Sequence, residues 1–386
     1  MTQGIVSEVT FLGLAALWLG SLIWLGVTTV LAMTHRLRRR DADGDSTGFR
    51  RIGSEPAVSV IVAVASPAPD LGAAVRSLCS LNYPEFEILL GAAGGDHAAI
   101  EAIRHEARVL PSRIRAFVKV PVRTTNPKVG LQAAILAEAR YPLLLFSDDN
   151  VVTAPFRIRA HVERMRDGCN LVSAVVVGEG PVGFWASVDG AFMYNFARLQ
   201  LAGDRVGFAG VTGKSMLVSR NDLAQSGGLL ATGATLCEDA ALRNQIARMG
   251  GRTGLSREAV IQQLGKRGLS DVWNRHKRWF YCRHRQVPLV FLGEVLFSVP
   301  IAAASGAVLA PSLGMATWLG ASLHAAIALV VEMMFLRSMQ WRIGSQFPIA
   351  WLIRELWMLP LAVAAILGRN VAWRGRQFTL KAGPRS

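Results

Sequence analysis

Four short polar stretches carry the side chains that could do chemistry in this chain. The most informative is Asp148-Asp149-Asn150, which directly follows an apolar run at 141–146. A buried strand that ends in carboxylates puts them at the carboxyl edge of a sheet, where open α/β folds bind ligands. These three side chains offer hard oxygen ligands, which suit Mg²⁺ or Mn²⁺ and, through the metal, a diphosphate. Because Asp and Asn also close strands by forming turns, a turn without a ligand is the competing interpretation.

Two further stretches could supply a counter-charge and a base. Lys128, in Asn126-Pro127-Lys128, could neutralise a phosphate as a point charge, although a lone lysine is more often a solvated surface residue. Asp239 follows Glu238 at the start of a predicted helix, where it could take a proton from an attacking hydroxyl. A helix N-terminus also favours a carboxylate electrostatically, and spacing alone favours that structural interpretation.

The fourth stretch, Arg275-His276-Lys277-Arg278-Trp279, is basic and aromatic. A helix places Arg275 and Arg278 on one face, where two guanidiniums could clamp a leaving diphosphate. A basic helix lying on anionic lipid is the alternative, and both can hold together.

A match to the phosphate-binding loop of ATPases, at 210–215, is rejected. That pattern needs a glycine five residues before Gly213, and the position holds Phe208. No convincing strand precedes the segment either, so the sequence does not indicate an ATPase.

Residues 56–287, which must position these side chains, alternate between strand-like and helix-like patterns. Apolar or β-branched runs predict strands at 57–64, 86–90, 117–120 and 141–146. Helix-like stretches lie between them at 71–81, 98–109 and 129–139. This alternation predicts a mostly parallel, doubly wound α/β sheet.

Residues 10–33 predict an N-terminal transmembrane anchor. The segment is uncharged and long enough to cross a hydrocarbon core of about 30 Å. Basic residues follow at 35–40, which predicts that the amino terminus lies outside and the rest of the chain inside. A cleaved signal peptide would carry its charge before a shorter apolar region, so we expect an uncleaved anchor. Residues 34–55, basic and polar, are typical of a linker.

Residues 288–368 are apolar again and predict membrane helices. The runs 289–309 and 315–336 are each long enough to span. A third run, 347–368, holds Arg354 and Glu355, and a charge at the centre of a span costs about 2.5 to 3.5 kcal/mol. Crossing there would also leave the basic tail, 369–386, outside. We therefore expect an interfacial or re-entrant helix, with a third span as the alternative.

Composition agrees with a membrane protein. Of the 386 residues, 51% are hydrophobic, and 42 Lys and Arg outnumber 27 Asp and Glu to give a net charge of +15. This balance indicates a soluble part that faces anionic lipid or an anionic substrate. We expect no nucleic-acid partner, because no recognisable nucleic-acid module accompanies the charge. The four cysteines show no CxxC or zinc spacing, so we expect them to be reduced and the soluble part to be cytoplasmic.

Taken together, these features resemble a known family. A carboxylate cluster after a strand, an aspartate about ninety residues later and a (Gln/Arg)-x-x-Arg-Trp motif are similar to those of ceramide glucosyltransferases, inverting enzymes of the family 21/family 2 group of glycosyltransferases. The resemblance covers nearly the whole chain. Further segments resemble that family in the same order: Leu81–Pro84, Asn126–Lys128, Val211–Gly213, Glu238-Asp239, Trp351–Glu355 and Trp373–Arg376.

The resemblance implies a GT-A catalytic domain between the anchor and the membrane helices. It also implies that Asp148 and its neighbours hold the metal and a UDP-sugar, that Asp239 is the general base, and that Arg278 with Trp279 binds the diphosphate or the acceptor. Lys128 and Arg275 join the predicted donor-binding residues as cations for the diphosphate. A base near the acceptor hydroxyl and cations at the departing UDP are what direct displacement requires.

Two departures from the family pattern bear on the donor and the acceptor. Gly94 stands where the family has its first aspartate, and Asp96 follows two residues later. Either Asp96 substitutes after a small loop shift and joins the donor-binding residues, or recognition of the nucleotide base differs. A His-containing region of the eukaryotic relatives is replaced by Phe196–Leu199, which bears on acceptor preference.

The resulting hypothesis is an enzyme that transfers a hexose or hexuronic acid from a UDP-sugar to the primary hydroxyl of ceramide. It would be a multi-pass protein of the inner (cell) membrane with its catalytic domain in the cytoplasm. One alternative is a glycosyltransferase acting on a hopanoid or another lipid. The other is a membrane-anchored nucleotide-binding protein that has lost catalysis, for which the displaced first aspartate is the supporting feature.

Overall fold

A computed structural model describes residues 8–35, 55–65, 70–110, 113–122, 124–368, 370–373 and 376–379, with side chains up to residue 368. Most of the predicted linker (34–55), including the basic run at 36–40, lies outside the described residues. Most of the basic tail (369–386) does too, together with part of the Trp373–Arg376 motif.

Two of the four predicted strands begin within one residue of the expected start, whereas the third begins earlier, at Ile114, and the fourth later, at Leu143. Strands form where β-branched and apolar runs favour buried extended structure. They are β1 Val58–Val64, β2 Phe86–Ala93, β3 Ile114–Val120, β4 Leu143–Ser147, β5 Val151–Val152, β6 Leu171–Ser173, β7 Val176–Val182, β8 Ser215–Ser219, β9 Thr253–Leu255, β10 Val260–Lys266, β11 Asn370–Trp373 and β12 Arg376–Thr379.

Seven strands form a mostly parallel sheet in the order β3-β2-β1-β4-β8-β6-β9. Neighbours are parallel from β3 through β4 and between β6 and β9, whereas β8 runs antiparallel to β4 and β6. Every residue of β1 and β4 is buried, as expected of central strands covered on both faces. Strands β5, β10 and β7 form a second sheet, and β11 pairs with β12. The predicted α/β architecture is confirmed.

The helices are α1 Glu8–Met33, α2 Leu71–Cys79, α3 His97–Val109, α4 Pro127–Leu136, α5 Arg157–Arg166, α6 Phe184–Arg205, α7 Arg220–Gln225, α8 Glu238–Arg248, α9 Leu269–Gln286, α10 Pro288–Leu296, α11 Val299–Leu309, α12 Thr317–Ser338 and α13 Phe347–Leu367, with 3₁₀ turns at Leu229–Thr232 and Ala310–Leu313. Asn126 caps α4, its side chain accepting from the Lys128 N–H, and Pro127 opens that helix. The predicted helix starting at Glu238 is confirmed.

Four segments among the described residues are long and apolar enough to cross a membrane: Glu8–Met33, Pro288–Leu313, Thr317–Ser338 and Phe347–Leu367. The second is divided into α10 and α11, and Pro300 lies in the first turn of α11. These helices confirm the predicted N-terminal and C-terminal apolar segments.

Arg354, the charge that argued against α13 as a span, is paired inside the protein. It is 2% exposed, and its guanidinium lies 2.7 Å from a carboxylate oxygen of Glu332 on α12 and 3.0 Å from one of Glu355. A paired, buried charge does not meet lipid, so the energetic argument for an interfacial helix loses its basis. The placement of α13 stays a prediction.

The chain divides into two compact units. One, residues 34–180 and 199–263, contains the seven-stranded sheet and two apolar cores formed by its strands and helices. The other, residues 1–33, 181–198 and 264–386, contains the four apolar segments, most of α6 and all of α9.

The expectation of four reduced cysteines is wrong for two of them. Cys79 and Cys169 are free thiols, whereas Cys237 and Cys282 are disulfide-bonded. Spacing rules detect only local motifs such as CxxC, so they carry no signal about bonds that the tertiary structure makes. Cysteine usage therefore gives no support to a cytoplasmic location.

Candidate active site

Asp148 lies at the carboxyl end of β4 between two lysine ammonium groups. Lys128 Nζ is 2.8 Å from its Oδ1, and Lys214 Nζ is 2.9 Å from its Oδ2. Lys214 Nζ is also 2.9 Å from Oδ1 of Asn150. Asp148 and Asn150 lie in the segment between β4 and β5, Lys128 lies in the first turn of α4, and Lys214 directly precedes β8. Strand pairing fixes Lys214, because Ser147 pairs with Ser215 in the antiparallel β4–β8 ladder.

The two lysines control the charge of Asp148. Burial alone would raise the pKa of Asp148, but both ammonium groups outweigh it and hold that pKa well below its usual range. Burial likewise works to lower the pKa of Lys128, and the Asp148 and Glu238 carboxylates raise it well above its ordinary value. At neutral pH the cluster therefore consists of charged, mutually neutralising groups.

The metal prediction for Asp148, Asp149 and Asn150 does not fit this arrangement. Among the described residues, no group of three or more His, Cys, Asp or Glu side chains could hold a metal ion. Both oxygens of Asp148 and the amide oxygen of Asn150 lie against ammonium groups, and Asp149 is only 1% exposed. Oxygen ligands suit Mg²⁺ or Mn²⁺ chemically, but ammonium groups contact three of the oxygens that were predicted to bind the ion.

Asp239, the predicted base, lies in the first turn of α8 beside this cluster. Its Oδ2 accepts the Gly213 N–H at 2.9 Å and its Oδ1 accepts the Ala240 N–H at 2.8 Å. Burial raises the pKa of Asp239 to about 6, and the neighbouring Glu238 carboxylate acts in the same direction. Each carboxylate oxygen has a second lone pair, so both hydrogen bonds leave Asp239 able to accept a proton.

Gly213 lets three charged side chains meet closely. A Cβ added there would lie 2.8 Å from Lys128 Nζ, 3.0 Å from Glu238 Oε1 and 3.8 Å from Asp239 Cβ. Lys128 Nζ is also held by hydrogen bonds to Glu238 Oε1 (2.9 Å) and the Gly213 carbonyl (3.2 Å). A side chain at this position would therefore displace the Lys128 ammonium or the Glu238 carboxylate from where they meet. Because a strand and not a helix follows Gly213, rejection of the phosphate-loop match agrees with the structure.

A buried polar layer fixes the backbone at Lys214, and sequence reasoning missed it. Arg157 is 0% exposed and donates to the hydroxyls of Ser147 (3.2 Å) and Ser215 (3.1 Å). His161 Nε2 lies 2.8 Å from the same Ser215 hydroxyl. Burial lowers the pKa of His161 to about 3, with Arg157 adding to the effect, so this imidazole stays neutral at physiological pH. No local motif marks either residue.

The Arg275–Trp279 motif lies on α9 in the other compact unit. Its first arginine, Arg275, is held by an ion pair with Asp189. Asp189 of α6 is 0% exposed and lies 2.8 Å from Arg275 Nη1 and 2.8 Å from His276 Nε2. Burial would raise the pKa of Asp189, but Arg275 and His276 outweigh it and lower that pKa well below its usual range. The His276 ring stacks on Phe192 at 4.1 Å between centroids.

Arg278 and Trp279 are half-buried on the same helix. The Trp279 ring meets His276 edge-on at 5.1 Å, and Arg275 Cζ lies 5.8 Å from its centroid. The motif is therefore helical, as predicted, and its first arginine neutralises a buried carboxylate. The roles of Arg275, Arg278 and Trp279 in binding stay predictions.

Asp96 follows the end of β2 and caps α3, its Oδ1 accepting the Ala99 N–H at 3.0 Å. Since β1 separates β2 from β4, two strand spacings of about 4.8 Å lie between these strands. Asp96 thus belongs to the same sheet edge as Asp148. Its role in donor binding stays a prediction.

A family model and the similar proteins of known function both point to one family of glycosyltransferases. Residues 17–386 match the model of glycosyl transferase family 21. Ceramide glucosyltransferase 1 of Caenorhabditis elegans is 26% identical over 344 residues, covering 86% of this chain and 73% of the relative. Ceramide glucosyltransferase 3 of that organism is 26% identical over 347 residues, covering 86% and 74%.

A solved structure shows the same fold. The mannosyltransferase PcManGT from Pyrobaculum calidifontis, in complex with GDP-Man and Mn²⁺, has a TM-score of 0.53 and 17% sequence identity, covering 92% of this chain and 98% of that one. This likeness, with the mostly parallel sheet, confirms the GT-A-like fold.

Proposed function

Because the chain belongs to glycosyltransferase family 21, we propose that it transfers a hexose or hexuronic acid from a UDP-sugar to the primary hydroxyl of ceramide, with inversion at the anomeric carbon. Its relatives named ceramide glucosyltransferases support this acceptor.

One observation carries the proposal: a buried carboxylate with a raised pKa lies beside a fixed pair of cations. The Gly213 N–H is 2.9 Å from Asp239, and the Gly213 carbonyl is 3.2 Å from Lys128 Nζ. Lys214 lies across Asp148 from Lys128. Direct displacement needs a base for the attacking hydroxyl and positive charge for the departing diphosphate.

In this mechanism Asp239 accepts the proton of the acceptor's primary hydroxyl. The hydroxyl oxygen then attacks the anomeric carbon from the face opposite UDP, and the bond to the diphosphate oxygen breaks. Lys128 and Lys214 stabilise the negative charge that develops on UDP. We further propose that Asp96 contacts the nucleotide and that Arg278 with Trp279 binds the diphosphate or the acceptor.

We also propose that the chain is a multi-pass protein of the inner (cell) membrane with its catalytic residues on the cytoplasmic side. Four apolar helices support membrane association. The basic residues that follow the first helix in sequence support the orientation.

An Asp239→Asn variant tests the proposal. The full chain, purified in detergent, is incubated with ceramide and a panel of UDP-sugars, and the lipid products are identified by mass spectrometry. Since the amide cannot accept the proton, we expect the variant to lose about 100-fold or more in kcat. The control is Asp167→Asn, whose side chain is 54% exposed and which we expect to behave as wild type.

Activity of the Asp239→Asn variant near that of wild type would remove Asp239 as the base. A product formed from a hopanoid, but not from ceramide, would replace the proposed acceptor. UDP binding without transfer to any lipid would indicate a nucleotide-binding protein that has lost catalysis.

A further inference from the structure

We propose that the Lys214 ammonium takes the place of a divalent metal ion, so that this chain binds the diphosphate of its donor without the metal. The inference rests on the proposed UDP-sugar function and names a cation that sequence reasoning did not assign to the site.

The oxygens predicted as metal ligands converge on Lys214. Its Nζ lies 2.9 Å from Oδ2 of Asp148 and 2.9 Å from Oδ1 of Asn150. Mg²⁺ binds oxygen at about 2.0 to 2.1 Å, so an ion shared by these two oxygens would overlap the volume that Nζ fills. The ion and the ammonium therefore exclude each other at this position.

Lys214 is built into the fold and is not a mobile surface lysine. Its side chain is 13% exposed, and its carbonyl accepts from Nη2 of Arg157 at 3.4 Å. The next residue, Ser215, is held through its hydroxyl by Arg157 and His161 and by pairing with Ser147 in β4. This support fixes the backbone from which the ammonium reaches Asp148.

The local charges favour the lysine over the ion. Lys128 bridges the carboxylates of Asp148 and Glu238, and Lys214 contacts the other oxygen of Asp148, so each oxygen of Asp148 already faces an ammonium group. Admitting an ion would separate the Lys214 ammonium from the Asp148 carboxylate, and breaking a largely buried ion pair is unfavourable. Lysine is an established phosphate ligand in proteins, acting as a point charge. The donor's diphosphate would therefore meet a cation that is already in place.

UDP binding in the presence and absence of Mn²⁺ tests this inference. Isothermal titration calorimetry of the full chain in detergent, with UDP as the ligand, is carried out with EDTA and with MnCl₂. We expect wild-type Kd values that agree within about threefold between the two conditions. Lys214→Met should weaken UDP binding by at least about tenfold in EDTA, and MnCl₂ should restore part of the loss.

Two matched variants distinguish the loss of the Lys214 charge from a general loss of folding as the cause of weaker UDP binding. Lys214→Arg keeps a cation and should bind UDP in EDTA, whereas Lys266→Met, an exposed lysine on β10, should bind as wild type. Thermal unfolding shows whether Lys214→Met is folded. If it is not, UDP binding by wild type and Lys214→Arg, each with and without Mn²⁺, decides whether the ammonium replaces the metal.

Electron paramagnetic resonance of Mn²⁺ gives a readout independent of the nucleotide. Wild type should leave the signal of free Mn²⁺ unchanged, and Lys214→Met should reduce it as the vacated oxygens bind the ion. UDP binding by wild type that requires Mn²⁺ would overturn the inference and leave the proposed function standing. Failure to bind UDP under every condition would overturn the proposed donor itself.

Discussion

The surroundings of Asp239 set its pKa, and with it the pH range in which its carboxylate can accept a proton. Burial raises its pKa to about 6, with Glu238 adding to the effect, and a base must be unprotonated to accept a proton. We therefore expect kcat/KM to rise with pH through an apparent pKa near 6 and to differ about tenfold between pH 5 and pH 7. Initial rates of lipid glycosylation across this range, at subsaturating substrate, provide the measurement.

Glu238→Gln is the matched variant for this pH dependence. Removing the like charge next to Asp239 lowers the cost of ionising it, so the midpoint should move to lower pH. Loss of a carboxylate that faces Lys128 acts in the same direction, since Lys128 is then less neutralised. A profile that is flat from pH 5 to pH 7 in wild type would contradict a role for Asp239 as base.

Local sequence patterns identify some residues of the candidate site and not others, for a physical reason. Asp148 and Asp239 were identifiable because a strand end and a helix start are local patterns. Lys214 was noticed only within a rejected phosphate-loop match, since its partner Asp148 lies 66 residues away in the chain. Arg157 lacks any local signal, because only the fold brings Ser147 and Ser215 to its guanidinium.

At the scale of elements, Asp189 joins α6 to α9. This 0% exposed carboxylate pairs with Arg275 and His276 from a single turn of α9. Asp189→Asn would remove the buried carboxylate that Arg275 and His276 face, and removing one partner of a buried pair costs about 3 to 5 kcal/mol. We expect a lower midpoint of thermal unfolding for the full chain in detergent.

Asp271 in the first turn of α9 offers the control for this prediction. Its carboxylate is exposed and accepts the Gly268 N–H at 3.0 Å, so Asp271→Asn should cost no more than a helix cap, about 0.5 to 2 kcal/mol. Equal unfolding midpoints for the two variants would show that the ion pairs of Asp189 stabilise the fold no more than the exposed Asp271 carboxylate does.

The elements themselves were largely predictable, whereas their pairing partners were not. β1 and α3 agree with the sequence to within one residue at each end, because runs of β-branched residues and helical periodicity are local. The antiparallel placement of β8 against β4 was not anticipated, and neither was the Arg354–Glu332 pair. Both depend on contacts between distant segments, which no short pattern records.

At the scale of the whole molecule, α6 and α9 share one hydrophobic cluster with α10 and α13. Val188 and Phe192 of α6 and Phe280 of α9 pack in a cluster with residues of α10 and α13, among them Phe291 and Met358. Trp357 of α13 stacks on Trp185 at 5.4 Å and meets Trp273 edge-on at 5.2 Å. The predicted domain boundary at 287, read from composition, therefore cuts through a continuous hydrophobic cluster.

A fragment of residues 56–287 tests whether the predicted catalytic domain is independent of the membrane helices. Without α10 and α13, the Trp185 and Trp273 rings lose Trp357 and the Phe280 ring loses Phe291, and an exposed patch of that kind promotes association. We expect the fragment to aggregate in buffer and to become monodisperse only in detergent, as measured by size-exclusion chromatography with light scattering. The full chain in the same detergent is the control. A monomer in buffer with an unchanged unfolding midpoint would show that the α6–α9 face needs no cover, and that the boundary at 287 separates two independent folding units.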